Sequence, residues 1–137
     1  MPVRSSTSSV LRWPDAVQVR EALAAWARAR GRTTPDIQRV GYFGSYARGT
    51  WGPGSDLDVV IVVGRSERTF LDRGVDWDLT VLPVPAESLT YTADEWRSLS
   101  DAGGRFAKML EEETVWVYER ESVVGAIAAS TDPRRGP

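Results

Sequence analysis

Residues 44–63 read GSYARGTWGPGSDLDVVIVV, and the right-hand end of that stretch decides the fold. After the two aspartates, Val59, Val60, Ile61, Val62 and Val63 are consecutive apolar residues. Side chains alternate between the faces of a strand, so an unbroken apolar run means that both faces are covered. That is the pattern of a strand in the middle of a sheet. Residues 56–63 are therefore predicted as a central strand. Its entry is the Gly/Pro loop Thr50–Ser55. Before the loop, Gly44 and Ser45 follow a short strand predicted over Ile37–Phe43 and open a helical turn.

Further upstream, Pro14 can occupy a first helical turn, and Ala16, Val19, Leu23 and Trp26 recur at helical spacing. Arg28 and Arg30 suit the negative end of that helix, and Gly31 is the expected cap. Downstream, a polar connection from Gly64 to Gly74 leads to VDWDLTVL, residues 75–82. There Val75, Trp77, Leu79 and Val81 alternate with Asp76, Asp78 and Thr80, so a second strand is predicted, ended by Pro83 and Pro85. Thr92 and Glu95 fit a capping box opening a helix. Phe106, Met109 and Leu110 mark another helix, with Glu111–Glu113 read as a solvated turn because acids oppose the dipole at a helix C-terminus. TVWVYE, residues 114–119, is the expected last strand, followed by a short helix over 121–129. The fold class expected is α/β (α+β): one small domain over residues 13–130, with a mixed central sheet flanked by helices. Residues 1–12 are expected as a disordered lead and 131–137 as a disordered tail.

Composition narrows the chemistry. Seventeen Lys and Arg against nineteen Asp and Glu leave a net charge of −2, which disfavours general nucleic-acid binding. The sequence contains no Cys and no His. Thiolate and imidazole metal sites, disulfides and the Ser-His-Asp triad are thereby excluded. A catalytic metal would sit on oxygen ligands, which points to Mg²⁺ or Mn²⁺. No apolar run approaches the ~18 residues of a membrane span, and Met1–Leu11 lacks a signal-peptide core, so a cytoplasmic protein without membrane contact is expected.

Asp56 and Asp58 are two apart on a predicted strand, so their carboxylates leave one face with Cα atoms roughly 6.5–7 Å apart. Such a pair can converge on metals ~3.5–4 Å apart, the separation used in two-metal phosphoryl transfer. Like charges held side by side at the start of a buried strand are unfavourable without a cation between them. Backbone N–H groups at Gly44 and Ser45, with the Ser45 hydroxyl, can cradle phosphate oxygens, and Gly44 lets the backbone approach closely. Arg48, one turn later, can reach the same anion or an acidic neighbour. Trp51 can stack on a base, contact a partner or pack as a flap, and these readings stay open.

Gly44, Ser45, Asp56 and Asp58, in that order and spacing, are similar to the signature of the nucleotidyltransferase superfamily of the DNA polymerase β type. Ala47, Arg48 and Gly49 match its fuller bacterial form, and Ser55 matches the small residue before the first aspartate. The resemblance is specific from Gly41 to Val81 and looser from Thr92 to Tyr118. The chain's length looks like that of the minimal nucleotidyltransferases, many of which pair with HEPN-domain proteins in toxin–antitoxin modules. The resemblance implies a polymerase β-like fold and transfer of a nucleoside monophosphate with release of pyrophosphate. Asp56, Asp58 and a third carboxylate would hold two Mg²⁺ ions (Mn²⁺ being the alternative), while Gly44, Ser45, Arg48 and Ser55 bind the nucleotide. The third acid is expected on a neighbouring strand, as Asp78, with Asp76 the second choice. ATP is the expected donor. The acceptor implied is a tyrosine hydroxyl of a HEPN-type toxin, with a HEPN-type partner or a second copy completing the site. The alternatives are a non-catalytic antitoxin-like binding module, or a nucleotidyltransferase acting on a small molecule or RNA.

Overall fold

The computed structural model describes residues 13–120. The expected lead, the helix over 121–129 and the tail lie outside the described residues. Helix α1 spans Ala16–Thr33, and strand β1 spans Ile37–Phe43. A single turn of helix, α2, covers Ser45–Arg48, and strand β2 covers Leu57–Val63. A 3₁₀ helix runs over Phe70–Asp76, followed by β3, Ala86–Thr92. Helices α3, Ala93–Ala102, and α4, Arg105–Glu113, lead into β4, Val115–Glu119. The strands form one sheet in the order β3-β2-β1-β4. β1 pairs antiparallel with β2 and β4, whereas β2 and β3 are parallel, so the sheet is mixed as expected.

The apolar run of β2 is buried on both sides. Leu57, Val59, Ile61 and Val63 turn toward α1 and join Val19, Leu23, Trp26, Val40 and Tyr42. Val60 turns the other way, with Tyr91 and Leu110 and the flanking aromatics Phe43, Trp96 and Trp116. α1 thus covers one face and the α3–α4 pair the other, the layering that two-sided burial demands.

α1 starts at Ala16, with Pro14 just outside it, because Asp15 caps it. The Asp15 carboxylate accepts from Gln18 N–H at 2.8 Å and the Gln18 side chain returns the bond at 2.9 Å. The expected cap at Gly31 is not where the helix ends. It continues to Thr33, and Thr34 caps it by donating to Arg30 O. Gly31 is buried inside the helix instead, and a side chain there would strike the ring of Tyr118 on β4. Close packing, rather than capping, explains this glycine.

The strand expected over 75–82 does not form. The 3₁₀ helix occupies the chain through Asp76, and its cap residue Trp77 donates to Gly74 O at 3.2 Å. The residues after it turn, with Leu82 N–H bonded to Leu79 O. The alternation breaks accordingly: Val75 and Val81 are 71% and 67% exposed, while Trp77 and Leu79 pack against the α1-side core and Leu82 is buried within it. Pro83 and Pro85 lack the N–H groups that a paired strand needs. The ladder beside β2 begins only once they are passed, where Leu57 N–H reaches Pro85 O at 2.8 Å and Ala86–Thr92 pairs in register. The capping box at Thr92 and Glu95 forms as expected, but directly at the end of β3. Glu111–Glu113 is not a turn. α4 runs through Glu113, which pairs with Arg48 at 3.2 Å.

One buried charge ties the crossover to the sheet. Arg73, on the 3₁₀ helix, is 5% exposed. Its guanidinium donates to Arg68 O and Thr90 O, each at 3.0 Å, and holds both oxygens of Glu95. The Glu95 carboxyl is held below its ordinary value, first by the Arg73 hydrogen bond, with burial opposing. Arg73→Ala strands a buried carbonyl and half of an ion pair, and is expected to cost about 2–3 kcal/mol in urea unfolding. The wild type should also lose stability as pH falls from the ordinary glutamate value of 4.5 through the depressed folded value, and the variant should lack that acid-sensitive part.

Candidate active site

Gly44 lies between β1 and α2 with φ +80° and ψ −151°, a conformation open essentially only to glycine. It also faces Asp58, since a Cβ built on Gly44 would collide with the Asp58 carboxylate oxygen Oδ2. The backbone turn and the carboxylate are therefore in direct apposition. Phe43 pairs with Asp58 in the β1–β2 register, which brings the turn to this place. Within the turn, Ala47 and Arg48 N–H bond to Gly44 O, and Gly49 and Thr50 N–H bond to Ser45 O. The first amides, of Ser45 and Tyr46, stand outside the turn's own bonding, as at any helix start.

Asp58 is the second residue of β2 and half-buried, whereas Asp56 precedes the strand and is exposed. The Asp58 carboxyl is raised above its ordinary value, chiefly by burial, then by the charges of Glu87 and Asp56, with Arg48 opposing. Ser55 closes the preceding loop: its N–H bonds to Gly52 O at 2.9 Å, and its hydroxyl accepts from Gly52 N–H at 2.9 Å. Arg48 pairs with Glu113 at 3.2 Å, and its charge is felt at Asp58. Gly44, Ser45, Arg48, Ser55, Asp56 and Asp58 thus surround one end of β2.

Asp78 does not join them. Its carboxylate accepts from Thr80 N–H at 3.1 Å and from the Thr80 hydroxyl, bonds that hold its titration below the ordinary value. Its carbonyl accepts from the Trp26 indole at 3.1 Å, so this stretch lies against α1. Asp58 belongs to the alternate set of β2 residues, whose next member, Val60, packs under α4. Asp76, the second choice, pairs with Arg68 at 3.0 Å. The reason is the missing strand: without pairing to β2, nothing carries these acids to the Asp58 face. The acid that the sheet does bring there is Glu87, opposite Asp58 in the parallel register. Its signal was present in the sequence as the alternation of Glu87, Leu89 and Tyr91 ahead of the Thr92 cap.

Trp51 stacks on Tyr46 at 5.4 Å between centroids and 9° between planes. The Tyr46 hydroxyl in turn accepts from the Trp13 indole at 2.7 Å. Trp51 is thereby a packed flap, and Tyr46, 3% exposed, is part of the core. Trp77 packs against the α1-side core, edge-on to Trp26 at 6.2 Å.

A metal can be tested against these donors. Among the described residues no three acidic side chains converge on one point. Two carboxylates with mutually unfavourable charge do stand together, one of them against the Gly44 turn. That fits Mg²⁺, which binds through one or two carboxylates and completes its shell with phosphate oxygens and water.

Among the described residues no helix is long and apolar enough to cross a membrane. No curated protein matches the sequence. Solved structures do match the fold. A Sulfolobus solfataricus protein described as a candidate nucleotidyltransferase is 18% identical with a TM-score of 0.53, the alignment covering 78% of this chain and 86% of that one. A toxin–antitoxin structure with AMP-PNP is 16% identical with a TM-score of 0.50, covering 79% and 82%. The profile of the nucleotidyltransferase domain matches residues 20–120, from α1 to the end of β4 and across the whole glycine–aspartate site. With the fold, the motif and the profile in agreement, the chain belongs to the nucleotidyltransferase domain family.

Proposed function

We propose that this chain transfers a nucleoside monophosphate, most simply AMP from ATP, to an acceptor hydroxyl, and that it does so as the antitoxin of a toxin–antitoxin pair. The observation that carries the reading is the contact of the Gly44 turn with Asp58. It sets amide donors for a polyphosphate against a carboxylate whose own surroundings disfavour its charge.

The amides of Ser45 and Tyr46 and the Ser45 hydroxyl would bind the β- and γ-phosphate oxygens, with Arg48 adding positive charge. Asp56 and Asp58 would hold the divalent cation, Mg²⁺ by its oxygen-only donor set. When bound, the cation supplies neutralisation of phosphate charge and a lowered pKa for a coordinated hydroxyl. The protein's share is positioning: it aligns the α-phosphorus for in-line attack by the acceptor oxygen. The new P–O bond forms as the bond to pyrophosphate breaks. Ser55 holds the loop that aims Asp56.

The acceptor proposed is a tyrosine hydroxyl on a HEPN-type partner. One of the solved structures sharing the fold is a toxin–antitoxin with AMP-PNP, which supports a toxin as the partner and an adenine nucleotide as the donor. The test is incubation of the full chain with α-labelled ATP, Mg²⁺ and the neighbouring-gene product. The expected result is label on the partner, prevented by EDTA and removed by phosphodiesterase. An unlabelled partner under every nucleotide and metal, with its toxicity still neutralised, would instead establish the binding-module reading.

A further inference from the structure

We infer, on the nucleotidyl-transfer reading of this site, that Phe106 is the residue on which the base of the nucleotide stacks. Among the described residues Phe106 is the one aromatic side chain that stands exposed, at 45%. A lone apolar residue in water needs no explanation by itself. What marks this one is its place.

That place is set by contacts at the two ends of α4. At the first end the Phe106 ring meets Phe43 at right angles, with 6.3 Å between centroids and 87° between planes. Phe43 ends β1 and stands opposite Asp58 in the antiparallel register. Residues paired in this way point to one face, with Cβ atoms about 4.5–5.5 Å apart. Phe106 is thus one side chain removed from Asp58, on the face toward which Asp58 points. At the other end, Glu113 pairs with Arg48 in the glycine-opened turn at 3.2 Å. Phe106 and Glu113 are seven residues apart, so they lie along one side of the helix with a rise of about 10 Å between them. α4 therefore borders the site from the phosphate-binding turn to an exposed ring. The span is of the order of the reach from the phosphates of a nucleotide to its base.

The other aromatic groups near this end of the sheet are engaged. Trp51 is stacked on Tyr46, which is buried. Trp96 and Trp116 meet edge-on at 5.5 Å and pack against the cluster around Val60. Phe106 differs, because a perpendicular contact with Phe43 leaves at least one face of its ring clear of that neighbour. Ala107 and Leu110, both buried, anchor α4 to the core, so the ring is carried on a fixed element. A flat apolar face offered beside a polyphosphate turn is what a base can stack on.

The experiment is calorimetric titration of the full chain with Mg²⁺-ATP and, separately, with Mg²⁺-tripolyphosphate, which carries the phosphates without a base. Wild type is compared with F106A, F106L and F106Y. Circular dichroism reports folding, and label transfer to the partner is measured on the same samples. Phe106→Ala should weaken ATP binding by roughly tenfold, within what one base–aromatic stack contributes, and leave tripolyphosphate within about twofold of wild type. Phe106→Leu, which keeps an apolar contact with Phe43 but has no ring, should weaken ATP in the same selective way. Phe106→Tyr should bind ATP as tightly as wild type. Equal weakening of ATP and tripolyphosphate in Phe106→Ala would mean that the ring only props α4 and Arg48, and would overturn the inference. Unchanged ATP affinity with transfer to the partner lost would overturn it too, by placing the acceptor against the ring. A wild-type chain that transfers label, with Phe106→Ala indistinguishable from it, would overturn the inference alone. A wild-type chain that binds neither ligand and transfers no label would overturn the nucleotidyl-transfer reading as well.

Discussion

Replacing Asp58 by Asn should lower nucleotide transfer by on the order of a thousandfold or more, since it removes a charge worth several kcal/mol of transition-state stabilisation through the cation. The same change should make the metal-free protein more stable. Asp58 is charged beside Asp56 and Glu87 in a half-buried position, and burial, then Glu87 and Asp56, push its carboxyl above the ordinary value of 3.8. A raised folded value means that the native state keeps its proton to higher pH than the unfolded chain. Stability therefore falls as pH rises from 3.8 through the raised value, and the deficit persists above it. Asn carries no such penalty. Its advantage should be complete at neutral pH, about 0.5–1 kcal/mol if it follows facing like charges on strands, and should vanish in acid. Thermal unfolding across pH, with EDTA present, measures it. Added Mg²⁺ should stabilise wild type increasingly as pH rises and leave the variant unmoved. A dead but more stable variant would mark Asp58 as a residue kept for chemistry at the expense of the fold. A variant that still silences its partner would show that masking alone suffices.

The second large effect is expected at Gly44. Gly44→Ala puts a Cβ into a backbone conformation that L-residues avoid and drives it against Asp58 Oδ2. The conformational strain alone is worth about 1–3 kcal/mol. The collision adds to it, because the Asp58 side chain is short and fixed at the strand. A fall in melting temperature of about 5–10 °C is expected, with loss of transfer even in samples that remain folded. Gly49→Ala is the control. Gly49 also has a positive φ, +83°, but open space around it. It should cost about 1 kcal/mol and keep its activity. Equal losses of activity in the two variants would mean that strain in the loop, not the approach of the turn to Asp58, is what matters.

Much of the molecule was legible in the linear sequence. β1 and β4 appear within a residue or two of the expected places. The run Val59–Val63 announced a strand covered on both faces, and α1 and α4 do cover them. The Gly44–Ser45 turn and the aspartates two apart were readable because their geometry is local: a positive φ, a strand end, a pleat. Helix ends were readable where side-chain bonding is local, as at Thr92 and Glu95. They were misread where a distant residue decides, as at Gly31, which Tyr118 requires to be small.

The strand beside β2 separates the two levels. Val75–Leu82 alternates more cleanly than Ala86–Thr92, so local pattern points to the wrong segment as the strand beside β2. By itself the sequence determined that β2 is central, that a glycine turn precedes it, and that two acids mark its start. Only the tertiary structure decided which later segment lies beside β2, and so which acid faces Asp58. The physical reason is that alternation states which faces a segment could present, whereas pairing depends on unblocked N–H groups and on anchors far away in the chain. Pro83 and Pro85 separate the first candidate from the ladder, and Arg73 with Glu95 binds the crossover so that the second one reaches it.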